Sequence, residues 1–455
     1  MTPVRSFLAI PVVTAFILIR FFSTESIASS GLSNFQENEA ETFSVQNFVT
    51  YDGALINCIK ILGLQRTSER AVRFLLGGKE GSPFSSKDWA YGLTKLYNTN
   101  ALYDIKTEIR VPPTSANTAL QNSPPRSIDI ELTLKDKWTL VPEVNIQGGG
   151  GSTLLALGGY DNNVGGYFTN VSASGGTYNG LWTYDFNQFQ EWLLDTDWMF
   201  GFDFSRSVFW TRVQDQAGNY LQNFDWVRSQ QQILVGSRFG QNIRLLTYIE
   251  LFQDSILNQD FGQPAQVFSQ LQYRLQPTLI FGRSNLTNYL EEGSELSITP
   301  GFINFFNSPL SYTELQISFK KTTILSKKNN LATHVNWGIM TQAPIAYQFH
   351  LGGYDSVRGF STSRLIGTQY VYGNFEYRPN LITHRFDWSA LDLITLQGCV
   401  FIDSGWMAGI ALLSAGLGVR LIPVKYSGTI LRLDWAKTIS PSEGVDLSFS
   451  IGQFF

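Results

Sequence analysis

Hydrophobic and polar residues alternate along many short segments between residues 138 and 455. At 198–205, every even position holds Trp or Phe, while the odd positions hold Met, Gly, Asp and Ser. Side chains along a β-strand point alternately to the two faces of a sheet, so a period of two is typical of strands. The pattern predicts an antiparallel sheet with one apolar, aromatic face and one face of polar or small residues.

Sixteen such segments can be counted, of which the first lies near 138–146 and the last near 446–455. Tilted strands of about 9 to 11 residues cross a bilayer, and single-chain bacterial barrels have an even number of strands. We therefore expect a mainly β protein, in which residues 137–455 form a sixteen-stranded antiparallel transmembrane β-barrel. The long connection 341–368 follows the eleventh strand and is expected on the cell surface, where a loop of this length is usually functional.

Residues 55–136 show a different pattern, with two helical segments between strands. A short apolar strand comes first, followed by helices that Thr67 or Ser68 and Ser85 or Ser86 can cap. Two alternating strands complete the segment. The order β-α-α-β-β predicts a small α+β domain, with two helices covering one face of a sheet.

Residues 1–28 have the features of a secretory signal peptide, which is removed from the mature protein. Arg5 precedes an apolar run at 7–19, and small residues then provide a cleavage site. Arg20 interrupts the end of this run, which is also too short to serve as a membrane anchor. Residues 29–54 are expected to be a linker.

The composition favours a membrane protein and excludes several other classes. Charged residues make up 15% of the chain, against about 25% in average soluble domains. The net charge is −4 and no basic block is present, so nucleic acid is not an expected partner. Cys58 and Cys399 lie far apart, and the three histidines form no ligand-spaced pair. Neither a disulfide framework nor a metal or other cofactor is therefore expected. Without a catalytic motif, the chain is not expected to be an enzyme.

A series of motifs appears in the second half of the chain. The predicted long loop contains a Val-Arg-Gly-Phe sequence, and a Phe-x-Asp-x-Gly strand follows about 40 residues later. The last predicted strand ends on an aromatic residue. The residues that carry these motifs are Val357, Arg358, Gly359, Phe360, Phe401, Asp403 and Phe455.

This series resembles the sixth-loop signature and the last strands of the BamA/TamA-like outer-membrane insertase superfamily. The β-α-α-β-β segment is similar to a polypeptide-transport-associated (POTRA) domain. The resemblance implies an integral protein of the bacterial outer membrane, with the POTRA domain in the periplasm. The central assembly factor of the superfamily has several POTRA domains in series, whereas this chain has room for one. The resemblance is therefore to an accessory or specialised single-POTRA member.

In this superfamily the sixth loop folds into the barrel lumen, where its arginine meets acidic groups on the wall. Alternation places Glu376 and Asp403 on the lumenal faces of the twelfth and thirteenth predicted strands, with Phe401 on the same face as Asp403. A planar guanidinium can donate to two carboxylates at once. We therefore expect Arg358 to bridge Glu376 and Asp403. An alternative is that Arg358 only locks the loop for stability.

The seam between the first and last barrel strands is predicted to be weakly paired. Pro142 has no N–H for a ladder hydrogen bond, and a glycine run from Gly148 predicts a flexible turn directly after the first strand. The last strand contains Gly452 and ends at Phe455. These features predict a seam that opens sideways, unless Pro142 merely marks the edge of its strand.

The function predicted from these observations is the assembly, insertion or translocation of outer-membrane proteins. A client strand would pair with the open seam by β-augmentation. The expected partners are the outer-membrane lipid bilayer and client outer-membrane proteins, or periplasmic proteins that bind the POTRA domain. Two alternatives remain: a passive pore or substrate-specific channel, and a structural part of a larger envelope complex.

Overall fold

The computed structural model describes ten ranges of the chain, all of which belong to one compact unit. The ranges are 48–112, 126–149, 152–214, 220–261, 271–287, 290–306, 308–326, 329–385, 393–423 and 430–451. The predicted signal peptide, most of the predicted linker, and the seam residues Gly452 and Phe455 lie outside the described residues.

The small N-terminal domain has the element order β-α-α-β-β. Its elements are β1 (Leu55–Leu62), α1 (Glu69–Leu76), α2 (Ser86–Asn98), β2 (Leu102–Arg110) and β3 (Ser127–Asp136). Strand β3 lies in the centre of the sheet, pairing parallel with β1 and antiparallel with β2. Helix α2 begins after Ser85, whose Oγ accepts a hydrogen bond of 3.2 Å from the Asp88 N–H. The residue after α1, Gly77, has φ +73°, a conformation that glycine adopts without strain.

The core of this domain lies between the helices and one face of the sheet. Alternate residues of β3 form the sheet side of this core. Leu93 and Leu96 of α2 pack against them and have no exposed surface. Phe48 and Ala54 also pack into this core. The last part of the predicted linker 29–54 therefore packs with the residues of the predicted domain 55–136.

The rest of the described chain forms one large antiparallel sheet that curls into a barrel. Its strands are β4 (Leu140–Gly149), β5 (Ser152–Val164), β6 (Thr169–Tyr178), β7 (Leu181–Gln190), β8 (Trp198–Gln214), β9 (Tyr220–Phe239), β10 (Ile243–Phe261), β11 (Leu271–Thr287), β12 (Leu290–Phe305), β13 (Ser311–Ser326), β14 (Asn329–Met340), β17 (Gln369–Arg378), β18 (Asn380–Arg385), β19 (Leu393–Met407), β20 (Ile410–Pro423), β21 (Leu431–Ser440) and β22 (Val445–Ile451). Two short strands, β15 (Phe349–Leu351) and β16 (Leu365–Gly367), lie within the long loop.

The sheet has seventeen strands in its described part, whereas sixteen were predicted. The difference arises at Pro379, which separates β17 from β18, although both strands pair with β19. A proline has no N–H to donate and interrupts the ladder at that point. The predicted twelfth strand ended at this proline. Beyond it the register shifts between Asn380 and Ile382, and the adjacent apolar residues Leu381 and Ile382 break the alternation, so the pattern did not predict β18.

Strands β8 to β13, which we call the long-strand wall, are longer than the bilayer requires. They hold 16 to 20 residues each. The prediction of about 9 to 11 residues per strand was therefore wrong for this wall. The additional segments, such as 220–225, do not alternate regularly between apolar and polar residues and gave no strand signal.

The two faces of the sheet differ as the alternation predicts. Large apolar side chains project outward, and five of them that are 49–71% exposed are Leu157, Trp182, Val400, Ile402 and Leu417. Buried polar side chains face the lumen, among them Asp254, Gln272 and Asn374. In the part of the chain that the structure describes, no helix has both the length and the apolar character to cross a membrane.

The small domain contacts the barrel at the turns that lie opposite the long loop. The Ser68 N–H donates to the Gly166 carbonyl at 3.0 Å, and Arg70 forms an ion pair of 2.6 Å with Asp195. Near the end of α2, burial lowers the pKa of Lys95 to about 8. Both helices therefore face this end of the barrel.

Candidate functional site

The first candidate site is the loop 341–368, which folds against the lumenal wall. Strands β15 and β16 form a small antiparallel hairpin, with Phe349 opposite Gly367. The tip of this hairpin carries Val357 and Phe360, which have no exposed surface. They pack with apolar side chains of β17, β19 and β20, namely Tyr370, Met407 and Leu412. The loop is thus anchored to the wall by its tip.

Arg358 lies at the centre of the anchored tip and is 1% exposed. Its Nε and Nη2 donate to the two oxygens of Asp403 at 2.7 and 2.9 Å, and its Nη1 donates to Glu376 at 2.6 Å. The backbone N–H of Arg358 also donates to Asp403, at 3.2 Å. The structure therefore brings together the arginine and the two carboxylates that the sequence singled out.

Sequence reasoning missed a third carboxylate and further arginines in this cluster. Asp434 of β21 accepts from Arg358 Nη1 at 3.1 Å and from Arg420 of β20 at 2.5 Å. Arg378 donates to the second oxygen of Glu376 at 2.7 Å. Alternation along β17 and β21 would have placed Arg378 and Asp434 on the lumenal face, but not shown that these strands share one cluster. We call Arg358, Glu376, Asp403 and Asp434 the loop lock.

Aromatic and small residues complete the lock. The guanidinium of Arg358 lies over the ring of Phe401, with Cζ 3.5 Å from the ring centroid, in a cation–π contact. Gly359 has φ +92°, and a Cβ at this position would lie 3.3 Å from Cβ of Ala436. The Val-Arg-Gly-Phe sequence thus combines two buried apolar anchors, a fork of donors and a glycine that permits close approach.

The lock is a network of buried ion pairs that holds the loop tip against the wall. Buried ion pairs stay charged because each partner compensates the other, and loss of one partner typically costs about 3–5 kcal/mol. Across the described ranges, no group of three His, Cys, Asp or Glu side chains is arranged to hold a metal ion. The chemistry available here is therefore to hold a loop firmly against β17, β19 and β21.

The second candidate site is the seam between β22 and β4. Among the described residues these strands are paired only through Phe449 and Gly148, whereas β9 and β10 share seventeen aligned pairs. The prediction that Gly148 lies in a turn was wrong, because Gly148 continues β4 and also lies opposite Thr153 of β5. Pro142 lies within β4, opposite Gly159.

The two candidate sites are neighbours. Asp434, the lock residue on β21, lies directly opposite Ser448 of β22. Only β22 therefore separates the lock from the seam. The wall that Arg358 holds ends one strand away from the weakest joint described in the barrel.

No family model matches the sequence, and no curated protein matches it either. Solved structures do match. CdiB from Escherichia coli superposes with a TM-score of 0.60 at 14% identity, over 88% of this chain and 76% of that chain. CdiB from Acinetobacter baumannii gives 0.55 at 16% identity, over 88% and 74%. A crystal structure of BamA from Haemophilus ducreyi lacking POTRA domains 1–3 gives 0.52 at 14% identity, over 88% and 84%. This chain therefore has the fold of these proteins, and the predicted likeness to BamA-type barrels is confirmed at the level of fold.

Proposed function

We propose that this chain is an integral outer-membrane protein that inserts or translocates other outer-membrane proteins through the seam between β22 and β4. The observation that carries this proposal is the seam itself, where one residue pair joins the two strands among the described residues. The fold shared with BamA and CdiB structures supports the same class of function.

The physical basis is an exchange of hydrogen bonds at a sheet edge. An unpaired backbone group costs several kcal/mol in hydrocarbon, so an exposed strand edge binds another strand strongly. A client strand that pairs with β4 or β22 satisfies both its own backbone and that of the edge. Insertion by this route needs no chemical energy source, because each step replaces one ladder by another.

The loop lock supports this activity by keeping the adjacent wall rigid. Arg358 ties β17, β19 and β21 together through Glu376, Asp403 and Asp434. The edge that opens is then β22, while the strands next to it keep their positions. The ion pairs of the loop lock therefore stabilise the barrel and also direct its opening to β22.

We also propose that the small domain is a POTRA domain in the periplasm and that residues 1–28 direct export. Its element order and its three-stranded sheet, with β1 and β2 at the edges, support this assignment. A sheet edge can bind an extended segment of a client or of a periplasmic partner. The contacts between the helices and the barrel turns would place such a segment close to the barrel.

The test is reconstitution of the purified chain in liposomes, with a urea-unfolded small outer-membrane barrel protein as the client. The proposal expects faster client insertion than in empty liposomes, together with low and flickering single-channel conductance. A stably open conductance without faster insertion would instead support the passive pore or channel. If neither faster insertion nor conductance is observed, the result would support a structural role in a larger envelope complex.

A further inference from the structure

The first limb of the long loop, residues 341–348, has an anchor of its own. A short 3₁₀ turn at Ile345–Tyr347 follows Pro344 and turns the Tyr347 side chain into the lumen, where it is 8% exposed. The contacts of Tyr347 are with the long-strand wall, whereas Arg358 binds β17, β19 and β21. The loop is thus held at two separate places.

A buried ion pair forms the polar half of the Tyr347 anchor. Arg228 of β9 donates to both oxygens of Asp254 of β10, at 2.9 and 3.0 Å. Gln272 of β11 donates from Nε2 to Asp254 at 3.1 Å and to the Tyr347 hydroxyl at 3.0 Å. Asp254 and Gln272 have no exposed surface. The hydroxyl of Tyr347 therefore joins a largely buried network, in which the Arg228 side chain is 13% exposed.

Aromatic rings form the other half of the anchor. The Tyr347 ring lies edge-on to Trp226 at 6.0 Å and to Phe305 at 5.8 Å, and it stacks on Tyr312 at 6.1 Å. The Arg228 guanidinium lies 5.9 Å from the Tyr347 ring centroid. One side chain of the loop therefore contacts or approaches five neighbouring strands, β9 to β13.

Phe349 connects this anchor to the loop lock. It lies two residues after Tyr347, in β15, and packs against the clusters around both Tyr347 and Val357. Its ring also meets Tyr370 of β17 edge-on at 4.8 Å. A displacement of the first limb is therefore transmitted through a short hairpin to the tip that carries Arg358.

We propose that Tyr347, held by Arg228, Asp254 and Gln272, is a positioning residue that delivers Arg358 to its carboxylates. The loop then acts as a brace between the long-strand wall and the β17–β21 wall. Within the proposed function, on which this role of the brace rests, it leaves the seam as the part of the barrel that opens. The anchor does not touch Arg358, so its effect on the lock is indirect and can be measured.

The two cysteines of the chain provide a direct measurement in the full-length protein. Cys399 is buried with Phe401 and Ala436, directly beneath the lock, whereas Cys58 is exposed on the small domain. Under native conditions a water-soluble maleimide should modify Cys58 rapidly and Cys399 slowly. The ratio of the two rates, read by mass spectrometry, then reports how often the loop tip leaves the wall. The Cys399 modification rate in Arg358→Ala is the reference for a loop tip that is no longer held by the loop lock.

The proposal expects Tyr347→Ala, which removes the ring contacts as well as the hydroxyl hydrogen bond, to raise the Cys399 rate by about tenfold or more. Asp254→Asn should also raise the Cys399 rate, although this substitution leaves the loop sequence unchanged. Tyr347→Phe keeps the ring and should give a smaller increase. Met199→Ala is the matched control, because Met199 is equally buried but packs with Leu234 and Leu246, away from the loop.

Unchanged protection of Cys399 in Tyr347→Ala, Tyr347→Phe and Asp254→Asn would overturn the proposal. An equal increase in Met199→Ala would also overturn it, since the effect would then be a general loosening of the barrel. If Tyr347→Ala does not fold, the other two variants still decide. The thiol rates do not depend on insertase activity, so failure of the brace and failure of the proposed function give different results. Client insertion by the same variants is measured separately.

Discussion

The seam and the long-strand wall are built from the same alternating pattern but differ in the number of aligned pairs among the described residues. Strands β9 and β10 hold 20 and 19 residues and align over seventeen pairs. At the seam, β4 holds 10 residues and the described part of β22 holds 7, and one pair joins them. The long-strand wall also carries the Tyr347 anchor. Among the described residues, the aligned pairs are therefore more numerous in the long-strand wall than at the joint that we propose to open.

This contrast teaches how a barrel can be both stable and able to open. Each ladder hydrogen bond in a membrane is expensive to leave unmade, so opening is easiest where few are present. On the β22 side of the joint, the loop lock ties β17, β19 and β21 together. The loop lock lies one strand from that joint. Its removal should destabilise the adjacent wall and so reduce the difference in stability between the wall and the seam.

The largest effect is expected from Arg358→Ala, which leaves three buried carboxylates near one another without their shared partner. Loss of one partner from a buried ion pair typically costs about 3–5 kcal/mol. We expect unfolding at a lower urea concentration, loss of the compact form on unheated gels, and protease cleavage between 341 and 368.

A matched control for this variant lies in the same loop. Arg364 forms an ion pair of 2.8 Å with the partly exposed Glu443. The Arg364 side chain is 9% exposed and pairs with one carboxylate, whereas the Arg358 guanidinium pairs with three buried ones, so Arg364→Ala should lower the stability less than Arg358→Ala. Equal protease resistance of Arg358→Ala and the wild-type protein would contradict the account of the lock.

An intermediate effect is expected in amide hydrogen exchange, which compares the two regions within one molecule. Phe449 lies opposite Gly148 at the seam, whereas Ile249 lies opposite Ile233 and Leu275 in the long-strand wall. We expect the Phe449 amide to exchange at least about 30-fold faster, or roughly 2 kcal/mol in local opening free energy. Equal protection at both positions would remove the contrast on which the proposed function depends.

The smallest effect is expected when the small domain is separated from the barrel. Residues 29–136 should express as a soluble, folded α+β domain, because the buried face of β3 and the helices are all retained. The fragment loses only the contributions of Phe168 and Trp192 to its core. A circular dichroism spectrum of a disordered chain would contradict the proposed POTRA assignment.

Alternation predicted that Glu376 and Asp403 face the lumen. The resemblance to the BamA/TamA-like superfamily implied that the long loop folds into the lumen, and the two together paired Arg358 with these carboxylates. They did not predict the third carboxylate, Asp434, because alternation gives the face of each strand but not the neighbours across the lumen. The same limit explains why the Tyr347 anchor was missed. Trp226, Asp254 and Phe305 lie far apart in sequence and converge only when the sheet curls.

Strand lengths and the seam were predicted less well. Segments such as 220–225 do not alternate regularly between apolar and polar residues, so they carried no strand signal. Gly148 was assigned to a turn because glycine favours turns, although the partner strand β5 holds it in an extended ladder. Local propensity was overridden there by pairing.

The most direct test of the account is a disulfide across the seam. Cysteines at Gly148 and Phe449, with Cys58 and Cys399 replaced by Ser, should crosslink because these positions face each other. A control pair at Ile233 and Ile249 closes the same kind of bond within the long-strand wall. The account predicts that the oxidised seam abolishes client insertion in liposomes, that reduction restores it, and that the control pair has no effect. Full insertion with the seam closed would contradict lateral opening and would favour a path through the lumen.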